Sequence, residues 1–139
     1  MNLSSTMISI QDIMRKDDGV DGDAQRIGQL AWMLFLKVFD QREEEWEDDA
    51  QDSGEDYQSP IPDEYRWRNW AAYKVDSYGK KQPQLSAEDT LRIANQLTAE
   101  LGDLDVNEDP KRKVIRGVFE DSNNYMKSGT LMLAVIEKL

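Results

Sequence analysis

The stretch KDDGVDGDAQRIGQLAWMLFLKVFDQ, from Lys16 to Gln41, decides the fold of this chain. Acidic residues and glycines fill its first part, and an almost unbroken apolar run follows. The run is long enough for an α-helix, and its middle is apolar all round, which indicates a central helix with neighbours on several sides. We therefore expect this helix to dominate the stability of the domain.

Two sets of apolar residues surround the predicted central helix. One face carries Ile27, Leu30, Ala31, Leu34, Val38 and Phe39, and the other carries Trp32, Met33, Phe35 and Leu36. Both sets are expected to be core rather than part of an aromatic cofactor site. A leucine in the middle of such a helix is expected to be buried, so Leu34→Ala is predicted to cost about 2–5 kcal/mol.

The acidic residues before this helix allow two interpretations, a calcium loop or a helix entry. An EF-hand loop starting at Asp17 would place Gly19 and Gly28 at two of the positions that require oxygen ligands. The helix entry is therefore favoured, with Asp21 and Asp23 accepting hydrogen bonds from free N–H groups of the first turn. Gly19 is expected to end the preceding helix with a positive φ.

The composition limits the chemistry that the chain supports. Its 139 residues include no cysteine and no histidine, which excludes disulfides, thiolate metal sites and nucleophiles activated by histidine. No catalytic, cofactor-binding or metal-binding residue is assigned. The sequence has no apolar run of about 18 residues and no signal-peptide pattern, so a cytoplasmic location is expected.

The net charge of −11 argues against a free-standing DNA-binding domain, because phosphate contacts need an excess of cations. Two basic islands nevertheless stand out, one between Glu64 and Pro83 and the other from Lys111 to Arg116. For any single cation, a solvated surface role is the more common one. If DNA is contacted, the contacts are expected chiefly from Lys111, Arg112, Lys113 and Arg116, and secondly from Arg66, Arg68, Lys80 and Lys81.

Helical periodicity and capping signals recur along the rest of the chain. Leu3, Met7, Ile10 and Met14 form one stripe of a first helix, and Ser86 is expected to cap a later helix that ends at Gly102. Asp109 and Pro110 begin another helix, in which Val114 and Ile115 are expected to point inward, and a final helix covers 131–139. With no strand pattern, the predicted fold is all-α, a single domain of about five helices.

A long connection separates the central helix from the helix capped by Ser86. Its first part, Gln41 to Ser59, is acidic; it is expected to extend the helix and then form a solvated loop. The part from Ser59 to Ser86 interleaves arginines with aromatic residues between prolines. These side chains either stack on bases or pin the connection onto the helices, and pinning is favoured.

Three stretches, in order, resemble the N-terminal helical domain of the modification (M) subunit of type I restriction–modification enzymes. They are RKDDGVDGDAQRIGQLAWMLFLKVFDQRE, IPDEYRWRNWA and RKVIRGVFEDSNNYMKSGTLMLAVIEKL, and they span most of residues 12–139. The acidic stretch Glu43–Asp56 has the least match. The helical pattern runs to Leu139, as expected of a domain cut just before the next one.

The resemblance implies that residues 1–139 are an accessory DNA-clamp and subunit-assembly domain. The parent subunit is an adenine-N6 DNA methyltransferase whose catalytic domain holds a glycine-rich loop for S-adenosylmethionine and an Asn-Pro-Pro-Phe-type motif for a flipped adenine. This chain contains no Gly-x-Gly and no Pro-Pro, so the domain itself is expected to bind no cofactor and to transfer no methyl group.

The implied partners are the specificity subunit, a second modification subunit, the restriction subunit, and double-stranded DNA within the complex. No membrane contact is expected. One alternative stays open at this point, a free-standing acidic helical module that binds other proteins and has no role in methylation. A small carboxylate enzyme has no supporting constellation of residues.

Overall fold

A computed structural model of the protein describes residues 3–139. Within that span lie six α-helices, a 3₁₀ turn and one antiparallel pair of two-residue strands. The elements are α1 (Leu3–Arg15), α2 (Gly22–Asp52), the 3₁₀ turn (Asp63–Tyr65), α3 (Trp67–Trp70), β1 (Lys74–Val75), β2 (Lys81–Gln82), α4 (Ala87–Gly102), α5 (Pro110–Phe119) and α6 (Gly129–Lys138). The all-α prediction is confirmed, whereas the expectation of no strand is wrong at this small hairpin.

The core lies between one side of α2 and the C-terminal helices. Trp32, Met33 and Leu36 of α2 are completely buried, and the Trp32 ring packs at 6.1 Å from that of Phe119 in α5. Helix α6 packs against both α1 and α4, and α4 also packs against α5. Ser86 and Asp109 cap α4 and α5 as predicted, since their side chains accept from the backbone N–H groups of Asp89 and Lys111. No helix in residues 3–139 is long and apolar enough to cross a membrane.

The opposite side of α2 is exposed, which corrects the prediction that both sets of apolar residues on this helix belong to the core. Ile27, Leu34 and Val38 are 63%, 42% and 52% exposed, and Ala31 between them is exposed as well. These four residues, at helical spacing, form an apolar stripe on the surface. The prediction that Leu34→Ala costs about 2–5 kcal/mol is therefore wrong. Because Leu34 is about half exposed, its truncation to alanine removes only about 1 kcal/mol of burial free energy.

Asp17 in the acidic stretch is a buried anchor. Its carboxylate accepts from Gly19 N at 2.8 Å, Lys127 N at 3.0 Å and Ser128 N at 3.0 Å. These bonds tie the α1–α2 turn to the residues that begin α6, whose N-terminal cap is Ser128. Backbone N–H groups thus occupy the carboxylate that a calcium loop would need as its first ligand.

Two details of the predicted helix entry are wrong. The Asp21 side chain makes no capping hydrogen bond; instead the Gln25 side chain accepts from the Asp21 N–H at 2.7 Å. Gly19 does not adopt a positive φ, and glycine is required there because a Cβ would lie 2.1 Å from the Tyr125 carbonyl oxygen. The entry is thus shaped by a close backbone approach from the far end of the chain.

Candidate nucleic-acid interface

Arg66 and Arg68 lie on either side of the start of α3 and reach back to α2. Arg68 donates to Asp40 at 2.8 Å and contacts Glu47 through two nitrogens, at 2.7 and 3.1 Å. Arg66 lies 3.4 Å from Glu43 and 3.3 Å from Glu47. We call these five residues the arginine cluster.

The acids of the arginine cluster occupy one face of α2, because positions 40, 43 and 47 recur at helical spacing. Glu43 is only 1% exposed, and its second oxygen accepts from the Tyr57 hydroxyl at 2.8 Å. The acidic stretch extends α2 to Asp52 as expected, but Glu43 within it is buried rather than solvated. The hydrogen bond from Arg68 lowers the pKa of Glu47, and burial together with the Glu43 bond raises the pKa of Tyr57.

The aromatic residues of the connection are mostly pinned to the helices. Tyr65, Trp67 and Trp70 are buried, and the Trp70 indole donates to the Tyr65 carbonyl at 3.0 Å. The expected pinning is confirmed for these side chains. Tyr78 is the exception, since it is 93% exposed.

The second basic island, on α5, is divided between contacts within the domain and open surface. The Lys111 ammonium lies 3.9 Å from the centre of the Trp46 ring, and Arg112 donates to the Asp105 carbonyl at 3.0 Å. Lys113 is exposed, and neither it nor Arg116 has a partner among the described residues. Ile115 is buried as expected, but Val114 is exposed and does not point inward.

Lys80 and Lys81 lie on a short hairpin, residues 74–82, formed by β1, β2 and the turn between them. Both lysines and Lys74 are exposed, and none of the three has a side-chain hydrogen bond or ion pair within residues 3–139. The turn also carries Tyr78. We call this element the hairpin.

The eight cations proposed for DNA contact thus fall into two groups. Arg66, Arg68, Lys111 and Arg112 are committed to partners inside the domain, whereas Lys80, Lys81, Lys113 and Arg116 have no partner in the described part of the chain. Lys74 and Tyr78 are additional candidates that sequence reasoning missed. The available signal was a turn-forming Asp-Ser-Tyr-Gly segment flanked by lysines.

The described residues do not fit a site for S-adenosylmethionine. Methyl-donor sites of this class need a parallel strand followed by a glycine-rich loop, and the strands in residues 3–139 are two antiparallel pieces of two residues. No group of three or more acidic residues in this span is placed to hold a metal ion either.

Comparisons with known proteins agree with these features. The family model described as the HsdM N-terminal domain matches residues 3–139. This chain belongs to that family. The methylase subunit of the type I restriction enzyme EcoEI from Escherichia coli is 47% identical over the whole of this chain, which covers 26% of that subunit.

Two solved structures have the same fold. A crystal structure of a modification subunit of a type I restriction enzyme from Vibrio vulnificus YJ016 has a TM-score of 0.73 at 30% identity, over 98% of this chain and 29% of that one. A structure described as the basis of complex assembly and conformational transition of the type I R-M system has a TM-score of 0.74 at 33% identity, over 98% and 25%. The chain spans about a quarter of the length of these relatives.

The chain thus resembles, in sequence and in fold, the N-terminal part of modification subunits of type I restriction–modification systems. The free-standing interaction module is not favoured, because the family model covers nearly the whole chain.

Proposed function

We propose that this domain helps a type I methyltransferase complex hold DNA and assemble its subunits, while other parts of the complex methylate adenine N6 with S-adenosylmethionine. The single observation that supports the DNA role most is the division of the domain's cations into those with partners inside the domain and those without. In a chain of net charge −11, five cations without partners among residues 3–139 lie on the hairpin and on α5, namely Lys74, Lys80, Lys81, Lys113 and Arg116. Enzymes that flip a base need the duplex to be held beside the catalytic domain.

The complete complex supplies the positive field that this acidic domain lacks. We therefore expect Lys80, Lys81, Lys113 and Arg116 to add phosphate contacts without sequence preference. The isolated domain should bind DNA weakly or not at all. The specificity subunit, the second modification subunit and the restriction subunit are the partners in this proposal.

The apolar stripe on α2 is the assembly surface in this proposal, and its occupant is the methyltransferase domain of the same subunit. The matched family is an N-terminal domain, and its relatives are about four times longer than this chain. The carbonyl of Leu139 accepts from Lys37 of α2, which adjoins Val38 and Leu34 of the stripe. A domain that packs on the stripe would bury these side chains.

The DNA role is tested in the complete complex with a variant in which Lys80, Lys81, Lys113 and Arg116 are all alanine. DNA affinity, measured across salt concentrations, should fall for target and non-target duplexes alike. The log–log salt slope should flatten by about 0.9 for each phosphate that the variant no longer binds. A complex that keeps its affinity and slope would contradict the DNA role.

The assembly surface is tested in the full-length subunit with Leu34→Glu, since a charge placed in a buried contact is costly. We expect the N-terminal domain to become more susceptible to proteolytic release from the rest of the subunit. Glu88→Gln, a change on the exposed surface of α4, is the control. Equal proteolysis of the two variants would contradict the assigned surface.

A further inference from the structure

The hairpin combines a fully exposed aromatic ring with unpartnered cations. Three lysines and one aspartate give its nine residues, 74–82, a net charge of +2 within a chain of −11. At its tip, Tyr78 is 93% exposed, although a buried or half-buried tyrosine is the ordinary outcome in a folded domain. No contact in the described part of the chain explains why an aromatic ring is placed at this exposed position.

Asp76 holds the tip in one shape. One carboxylate oxygen accepts from Tyr78 N and Lys80 N, both at 2.9 Å, and the other accepts from the Gln82 side chain at 3.4 Å. Gly79 closes the turn at a φ of +78°, where a side chain would be strained. The only acid of the hairpin is thus used internally, and the lysines are left to face outward.

The roots of the hairpin are fixed to the domain on both sides. Before β1, the Tyr73 hydroxyl donates to the Leu133 carbonyl of α6 at 2.9 Å. After β2, the Gln84 side chain donates to the carbonyls of Arg68 and Ala72 at 2.9 and 2.6 Å. A tip held at its base and braced internally loses little conformational freedom when it binds a partner.

We propose that the hairpin is a preformed contact for duplex DNA, in which Lys80 and Lys81 bind phosphates and the Tyr78 ring packs against the sugar–phosphate edge. This inference rests on the proposed DNA role. It adds that the hairpin is the element in contact with DNA and that Asp76 holds its shape. Lysines are donors that suit phosphate oxygens, and tyrosine is among the side chains that contact the DNA backbone. The charge favours DNA over a protein partner, because a cationic tip on an acidic domain matches a polyanion.

The surroundings of the hairpin leave its positive charge in place. Lys81 shares a cleft with Glu137 and Lys138 at the end of α6, and the charges of these two neighbours offset each other. Glu137 makes no ion pair with Lys81. Lys74 and Lys80 lie away from that cleft and are exposed.

The first test compares doubly substituted variants in the complete methyltransferase complex. Lys80→Ala with Lys81→Ala should flatten the log–log salt slope of DNA binding by about 1.8, at about 0.9 per phosphate. The matched control, Lys16→Ala with Lys127→Ala, removes the same charge from exposed lysines near Asp17 and should leave the slope unchanged. Equal slopes for the two variants would overturn the hairpin contact.

A third variant separates this inference from the broader DNA role. If Lys113→Ala with Arg116→Ala flattens the slope and the hairpin variant does not, only the hairpin inference fails. If neither variant differs from the control, the DNA role of the domain fails as well.

The second test uses Asp76, where simple electrostatics and the bracing role predict opposite results. Removal of an acid should strengthen DNA binding by charge alone. We expect Asp76→Ala to weaken it, because the tip loses its three internal hydrogen bonds. Asp76→Asn keeps an acceptor oxygen and should restore the affinity. Stronger binding by Asp76→Ala than by the wild type would overturn the bracing role.

Tyr78→Ala completes the test, because its exposed ring can be removed without loss of packing. We expect DNA affinity to fall several-fold with an unchanged salt slope. If affinity is unchanged while sedimentation shows weaker subunit assembly, the hairpin binds a protein neighbour and the DNA assignment is overturned. If neither property changes, the ring has no role in binding.

Discussion

Arg66 and Arg68 differ sharply in environment from the lysines of the hairpin, although both groups lie in the same basic connection. The arginines are held by Asp40, Glu43 and Glu47 of α2, and Arg66 is only 13% exposed. The lysines that follow have no partner among residues 3–139 and face outward. Local charge density is therefore a poor guide to function, since distant acids decide which cations remain available.

The largest expected effect concerns the arginine cluster. Arg66→Ala leaves the Glu43 carboxylate buried without its cation, and loss of one member of a buried pair costs about 3–5 kcal/mol. Lys80→Ala should change stability by no more than about 0.5 kcal/mol. Urea unfolding followed by tryptophan fluorescence measures both. Similar costs for the two variants would remove the distinction between structural and available cations.

The same contrast between covered and open positions applies to apolar side chains of α2. Leu36 is buried against the core, so Leu36→Ala should cost about 2–5 kcal/mol. Leu34→Ala, in the apolar stripe, should cost about 1 kcal/mol in the isolated domain. Denaturant midpoints of the two variants provide the comparison. A larger cost at position 34 would show that the stripe is part of the core.

A smaller effect on stability is expected at acidic pH. The Arg68 hydrogen bond lowers the pKa of Glu47 below its usual 4.5 in the folded state. The stability that this bond contributes is therefore fully present above about pH 4.5 and disappears as the pH falls through the lowered folded-state pKa. Glu47→Gln should reduce the steepness of the decline in melting temperature below that pH. Lys80→Ala with Lys81→Ala should leave it unchanged.

Local signals in the sequence were sufficient for much of the fold. Ser86 and the Asp109–Pro110 pair act within a few residues of themselves, so their caps were predicted correctly. The hairpin was missed because its strands are two residues long and carry exposed lysine and glutamine, with no alternation to detect. Its tip is held by hydrogen bonds to Asp76, which periodicity does not reveal.

The side of α2 that lies open and the partners of Arg66 and Arg68 depend on tertiary packing. A helix that is apolar all round does not indicate which face its neighbours cover, so Ile27 and Leu34 were assigned to the core. Arg68 meets Asp40 and Glu47 across sequence separations of 28 and 21 residues. The helical spacing of acids at 40, 43 and 47, opposite Arg-x-Arg, was the available clue.

The central claim is that the unpartnered cations of the hairpin and of α5, and not the cations held by partners inside the domain, contact DNA. Lysine acetylation of the complete complex, with and without duplex DNA and read by mass spectrometry, tests it most directly. We predict that DNA protects Lys80, Lys81 and Lys113 from acetylation and leaves the acetylation of Lys16 and Lys127 unchanged. Lys111 should react weakly in both states, because its ammonium lies on the Trp46 ring. Protection of Lys16 and Lys127, with Lys80 and Lys81 equally acetylated in both states, would contradict the account.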